Sequence, residues 1–296
     1  MSKRLLLACA VVLGVSAGVA QAQISGIGTF SLRPDAAANT ADEDFVAVWQ
    51  EQPNTGTPQP SQIYARRVDT SGGPDGDATL VSSGSNTNQR PALAYNPSTG
   101  QSLVVWTEID VLGERQILAQ RLNADIEKEG SVILVTGSGV RAFGADVAFD
   151  PGFDGYYVAW TAFNSSDGTF QVFGQRISED GTLVGGSGQL SVTAAGATSA
   201  SRPAVAFSEE ADAAVAVWTQ RTGSSTKAVG RLAVDGSPSG SEFDVSGTGP
   251  AIAHIDAEYN PVSTEVLVVW SDGTNVFGNR INNAGVPQGT FSITSS

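Results

Sequence analysis

Five short, almost wholly apolar runs end in tryptophan: Phe45-Val-Ala-Val-Trp49, Leu103-Val-Val-Trp106, Tyr157-Val-Ala-Trp160, Val215-Ala-Val-Trp218 and Leu267-Val-Val-Trp270. A half-exposed strand alternates apolar with polar residues, so an unbroken apolar run predicts a strand buried on both faces. The tryptophans stand 57, 54, 58 and 52 residues apart, which is the mark of a repeat. Upstream the frame is constant. Eleven residues before Trp stand Tyr95, Phe149, Phe207 and Tyr259, with Ala38 in the first copy, and fifteen before it stand Pro34, Pro91 and Pro203. This small, apolar stretch predicts a first strand. Asn96-Pro97, Asp150-Pro151 and Asn260-Pro261 then predict tight turns into the tryptophan strand.

A second block follows each tryptophan: Ile63-Tyr-Ala-Arg-Arg67, Ile117-Leu-Ala-Gln-Arg121, Val172-Phe-Gly-Gln-Arg176, Ala228-Val-Gly-Arg231 and Val276-Phe-Gly-Asn-Arg280, the fourth one residue shorter. A Gly-bearing turn such as Asp180-Gly181 and a short β-like run such as Leu190-Ser-Val192 complete each copy. Four strands per repeat, with no helical periodicity, predict an all-β chain. Four-stranded units repeated radially and covered on both faces by their neighbours are propeller blades, so the pattern predicts a five-bladed β-propeller. A β-solenoid and a chain of β-sandwiches are the rivals. Solenoid coils are shorter, and sandwiches do not hold one aromatic at a constant frame. Gly28-Thr-Phe-Ser-Leu32 nearly repeats Gly289-Thr-Phe-Ser-Ile293, which predicts a ring closed by pairing the two terminal segments within one blade.

The start of the chain has a different character. Lys3-Arg4, an uncharged run from Leu5 to Ala20, and Ala20-Gln21-Ala22 predict a signal peptide over 1–22 and a single propeller domain over 23–296. The run is short for a membrane anchor, and no later run has spanning length, so the expectation is a secreted or periplasmic product without a membrane span. Cys9, the single cysteine, lies in this leader, so disulfides, thiolate zinc sites and iron–sulfur clusters are excluded from the mature chain. With 30 acidic against 16 basic residues the net charge is −14, which argues against nucleic acid as a partner.

The succession F-V-A-V-W-Q, I-Y-A-R-R-V-D-T-S-G and V-F-G-Q-R-I-S-E-D-G resembles the tandem repeats of large secreted bacterial surface proteins, some of them calcium-binding and haemolysin-like. In those repeats apolar-V-V-W is followed by I-Y-G-Q-R-x-D and a Gly turn. The resemblance covers nearly the whole mature chain. It implies an extracellular repeat scaffold and brings no catalytic residues with it. The Gly-Gly-x-Gly-x-Asp calcium nonapeptides are absent, and no D-x-D-x-D-G loop is present, so calcium is unsupported and no cofactor or metal is expected.

Candidate chemistry gathers at two places. Sixteen residues before Trp stand Arg33, Arg90, Gly144, Arg202 and His254, and two residues later Asp35, Ala92, Asp146, Ala204 and Asp256. In a propeller both positions ring the mouth of the central channel. The loops after the second strands lie on the same face and vary most in length, the Trp-to-Arg separations running 18, 15, 16, 13 and 10. Those loops carry Glu51, Glu108, Arg221 and Asp272. The expected ligand set is therefore Arg33, Arg90, Arg202, His254, Glu51, Glu108, Arg221 and Asp272, with ion pairing of the arginines to Glu51, Glu108 and Asp272 as the structural alternative. The repeated Trp and third-strand Arg are read as a packing motif in which guanidinium stacks on indole.

The expectation is a secreted, non-enzymatic binding or adhesion module that takes extracellular carbohydrate, another anionic polymer or a surface protein. The alternative is a glycoside hydrolase using Asp35, Asp146 and Asp256, since glycosidases need a pair of carboxyl groups. A structural matrix or surface component is the third reading. A Ser-His-Asp triad lacks support, because His254 is the sole histidine and no G-x-S-x-G elbow exists.

Overall fold

The computed structural model describes residues 29–40, 42–55, 59–137, 139–191, 197–247 and 252–294; the leader lies outside them. Among the described residues twenty strands form five successive four-stranded antiparallel meanders. The first holds β1 (Thr29–Asn39), β2 (Asp44–Pro53), β3 (Gln62–Val68) and β4 (Pro74–Leu80), and the second β5 (Thr87–Tyr95), β6 (Ser102–Ile109), β7 (Arg115–Leu122) and β8 (Lys128–Leu134). The third holds β9 (Ala142–Asp150), β10 (Gly155–Asn164), β11 (Thr169–Ser178) and β12 (Leu183–Gln189), and the fourth β13 (Ala197–Ser208), β14 (Ala213–Thr222), β15 (Ser225–Val234) and β16 (Ser237–Asp244). The fifth comprises β17 (His254–Asn260), β18 (Glu265–Ser271), β19 (Val276–Ile281) and β20 (Phe291–Ser292). One parallel pairing, Phe170 with Ser199, joins the third and fourth meanders into one sheet.

The core is divided into layers between successive sheets. Four apolar clusters each span two neighbouring meanders, first with second through fourth with fifth. First strands pack in order, β1 on β5, β5 on β9, β9 on β13 and β13 on β17. The continuous apolar runs are buried on both faces in β2, β6, β10 and β14. In β18 burial alternates instead: Val266, Val268 and Trp270 enter the cluster shared with the fourth meander, while Leu267 on the other face is exposed.

Two expectations are corrected. The terminal segments do not share a blade: Phe30 and Leu32 extend β1 opposite Gln52 and Gln50, while Phe291 and Ser292 pair with β19. Leu32 runs straight into Arg33, which leaves no loop to carry it out of its own sheet. Nor does the third-strand arginine stack on tryptophan. The residue directly across the ladder does, as Trp49 on Tyr64, Trp160 on Phe173 and Trp270 on Phe277, with centroids 6.0, 6.3 and 6.0 Å apart.

The arginine instead reaches into the following meander. Arg67 donates to the carbonyl of Ala124, Arg121 to that of Glu179 at 2.8 Å, and Arg176 pairs with Asp235 at 3.4 Å. The fourth copy departs from this. Its missing residue places Arg231 opposite Ala216, one step along the ladder from the register Arg176 holds opposite Tyr157, so the side chain turns to the other face. Arg231 accordingly donates back to Leu190 of the preceding meander, and Leu232 packs on the turn at Gly285. The recurrent Gly turn has the same cause: Gly236 has φ +76°, and a Cβ there meets Arg176 Cδ at 3.1 Å. Gly236→Ala is expected to cost about 1–3 kcal/mol of stability by denaturant titration. Gly76→Ala, with φ +68° but nothing within 4 Å of the added methyl, shows the smaller, purely backbone part.

Candidate functional site

The first strands β1, β5, β9 and β13 share a device the sequence does not show directly. Each shifts register opposite its tryptophan, a β-bulge, and the residue there has a left-handed backbone: Arg33 φ 52°, Arg90 56°, Gly144 63° and Arg202 57°. Glycine takes this conformation without steric cost, whereas a side chain held there costs of order 1–3 kcal/mol. The bulge is anchored to the preceding meander. Arg90 N donates to Gln50 Oε1 at 3.3 Å, Gly144 N to Thr107 Oγ1 at 3.0 Å and Arg202 N to Thr161 Oγ1 at 3.2 Å. Each acceptor directly follows a tryptophan. β17 has no bulge and pairs continuously from His254 to Asn260, His254-Ile255 standing where three other copies have Arg-Pro.

Regular pleating of β17 puts His254, Asp256 and Glu258 on one exposed face while Ala257 is buried on the other. Asp35 and Asp146 stand at the matching position of β1 and β9. Asp35 accepts from Ala36 N and, across the meander boundary, from Leu93 N, both at 2.9 Å. Asp146 accepts from Val205 N at 2.7 Å. Asp256 accepts only from its neighbour Ala257 N, at 2.9 Å, and Glu258 accepts no hydrogen bond from the described residues. Asp35 and Asp146 thus also tie first strands together, and Asp256 and Glu258 are left with open acceptor positions.

These four groups affect one another. Burial, then the charges of Asp256 and Asp35, raise Glu258 to about 7. Burial, with a smaller push from Asp256, raises Asp35 to about 6 against the pull of its two N–H donors. Asp146 is pushed well up by burial and then by Asp256 and Asp35, and Asp256 is raised by burial. Asp256 and Glu258 are nonetheless exposed, and Asp35 and Asp146 half-buried. Solvent that reaches the exposed side chains screens part of the cost of burial.

The direction of these shifts fixes a pH dependence. Between the ordinary carboxylate range and about pH 7 the folded chain binds more protons here than the unfolded chain, so these groups make stability fall as pH rises through that window. Glu258→Gln is therefore expected to raise Tm at pH 8 and leave it unchanged near pH 4.5, as read by thermal melts at both values.

Glu258 is absent from the expected set, yet the sequence carries a signal for it. Twelve residues before Trp the other copies have Ala37, Ala94, Ala148 and Ala206, so a glutamate there breaks the repeat. The loop residues serve their own surroundings. Glu51 accepts from Trp49 Nε1 at 2.9 Å, Glu108 from Gln116 Nε2 at 2.8 Å, and Asp272 from the backbone of Thr274 and Asn275 at 2.9 and 2.8 Å. Arg221 donates to Gly223 O at 3.0 Å. Arg33, Arg90 and Arg202 form no ion pair with Glu51, Glu108 or Asp272, so the structural alternative for these arginines is not what holds the meanders together. Among the described residues no group of three or more His, Cys, Asp or Glu is arranged to hold a metal, and no helix is long and apolar enough to cross a membrane.

No family model and no curated protein sequence matches the chain. Solved structures do. A Hadza microbial sialidase superposes with TM-score 0.63 at 11% identity over 90% of this chain, which spans 59% of the sialidase's length. A β-1,3-galactosidase of glycoside hydrolase family 43 gives 0.55 at 10% identity, covering 87% of this chain and 92% of its own. An endo-arabinase from Bacteroides thetaiotaomicron gives 0.54 at 12%, covering 90% and 95%. The shared fold is a β-propeller. These neighbours, by name a sialidase, a galactosidase and an arabinase, go against the expectation of a non-enzymatic binding or adhesion module and favour its alternative, a glycoside hydrolase. For catalysis the expectation weighed only the repeat-equivalent Asp35, Asp146 and Asp256, which duplication alone explains, and left out Glu258.

Proposed function

We propose that this chain is an exported glycoside hydrolase, a closed five-bladed β-propeller whose axial carboxyl groups cleave a polysaccharide. The observation that carries the reading is Glu258, a carboxyl raised to about 7 on a wet face beside Asp256 and within reach of the charge on Asp35. The charge of Asp256 on β17 acts on Asp35 on β1, and this supports nearness of the first and last meanders and so a closed ring. Export rests on the leader expected at 1–22 and on the resemblance of the repeat to those of secreted bacterial surface proteins.

Glycosidic cleavage needs one carboxyl that still holds its proton and one that has lost it. Glu258 is the general acid, protonating the leaving oxygen. Asp35, from a different strand, is the carboxylate that approaches the sugar from another side. Two backbone N–H groups fix its orientation. Asp256 sits two residues from Glu258 on the same face, where its charge discourages ionisation of the acid; it is a positioning residue for the proton. Asp146 couples this set to the third meander. The test is release of reducing ends from a panel of neutral and acidic polysaccharides by the purified protein. Release by the wild type that disappears in Glu258→Gln is expected, and no release from any member of the panel overturns the reading.

A further inference from the structure

In a chain with 30 acidic residues, Arg33, Arg90, Arg115, Arg141 and Arg202 form no ion pair with any described carboxylate. They are also not dispersed. Arg90, half-buried, is made less basic by burial and then by the charges of Arg33, Arg202 and Arg115, which places it among them. Arg202 donates to the carbonyls of Ile252 and Ala253, and the other three heads are exposed.

Away from the axis this cationic row meets aromatic rings. Arg115, the first residue of β7, lies 5.8 Å over the Phe143 ring, and Arg141, just before β9, lies 5.5 Å over Phe163. Phe143 and Phe163 both stand edge-on to Phe170, at 5.4 and 5.5 Å. Gly113, Arg115, Arg141, Phe143 and Phe170 line a cleft of about 150 Å³ between the second and third meanders. Clustered guanidinium groups cost free energy unless an anion neutralises them, and their fork matches carboxylate and sulfate oxygens.

We propose that this cleft and the arginine row leading from it to the axial carboxylates form an extended subsite for an anionic polysaccharide. A sugar ring packs on Phe143 and Phe170, its carboxylate or sulfate is held by Arg115 and Arg141, and Arg33, Arg90 and Arg202 guide the chain inward. The inference deepens the glycosidase reading and rests on it for its substrate class. The acidic remainder of the surface does not cancel the row, because charges more than about 8 Å away are largely screened at physiological ionic strength.

The experiment measures binding by the Glu258→Gln protein, so that turnover does not intervene. The probes are a neutral arabinan, a neutral galactan, polygalacturonate for the carboxylate and dextran sulfate for the sulfate, each at physiological and at high salt. At least one anionic polymer is expected to bind roughly tenfold more tightly than both neutral ones at physiological salt, with the advantage shrinking at high salt. The preferred anionic polymer identifies the group. Arg115→Gln with Arg141→Gln is expected to remove most of that advantage, and the two lysine substitutions restore part of it because the charge remains. Equal binding of neutral and anionic polymers, or an advantage undiminished in the double glutamine variant, overturns the subsite. Wild type that releases no reducing ends yet keeps the anionic preference overturns the glycosidase reading and leaves the subsite standing.

Discussion

Glu258→Gln is expected to lower kcat by roughly 10²–10⁴-fold with KM changed by no more than a few-fold, the range that loss of a general acid produces. The substitution keeps size and shape, and the exposed position on β17 makes no hydrogen bond that the fold needs. The loss depends on the leaving group. Substrates with an activated aryl leaving group need little protonation and keep much more activity, whereas a purely structural defect lowers both alike. The same groups set the pH profile. Asp35 must be ionised, so activity rises through about pH 6, and Glu258 must be protonated, so it falls through about pH 7. Asp256→Asn removes a neighbouring charge that discourages Glu258 ionisation and is expected to move the alkaline limb to lower pH. Glu258→Gln protein with near wild-type kcat on unactivated polysaccharide removes Glu258 from the mechanism.

The strand plan was legible because it rests on local pattern. Runs such as Val215-Ala-Val-Trp218 can sit only between two covering layers, and Gly-bearing turns end the third strands at fixed places. What escaped depends on the third dimension. Arg33, Arg90 and Arg202 precede proline, a hint of unusual backbone, but a left-handed bulge opposite tryptophan becomes visible only in the ladder. The stacking partner of Trp49 is Tyr64 because of register, which composition does not encode. The site was half legible. Asp35, Asp146 and Asp256 stand out as repeat-equivalent acids, and in a duplicated fold equivalence is what ancestry alone leaves behind. Chemistry needs asymmetry, so the informative position is the one where a copy departs from its siblings, as Glu258 does among four alanines and Arg231 does through a one-residue deletion.

A buried ion pair marks a point where the fold is vulnerable. Arg176→Ala is expected to destabilise the protein by about 3–5 kcal/mol, the cost of leaving a buried charge unpaired. Arg176 Nε and Nη2 both lie 2.8 Å from Asp150 Oδ2, and that aspartate is 0% exposed. The guanidinium also sits 4.8 Å over Phe153 and reaches Asp235 of the next meander, so one side chain joins two meanders. The exposed pair of Arg280 with Glu265 offers the contrast: with Arg280 57% exposed, Arg280→Ala costs no more than about 1 kcal/mol. Burial already raises the Asp150 pKa against the pull of Arg176, and without the guanidinium it rises further. The penalty therefore belongs to the ionised form: it is full at alkaline pH and shrinks as pH falls and Asp150 takes up its proton. Denaturant titration of wild type, Arg176→Ala, Asp150→Asn and the Arg176→Met, Asp150→Asn double variant separates lost attraction from stranded charge. The double variant is expected to recover most of the stability that Arg176→Ala loses, because no charge is left buried. A loss below about 1 kcal/mol for Arg176→Ala at pH 8 refutes the assignment of Arg176 as the group that neutralises buried Asp150.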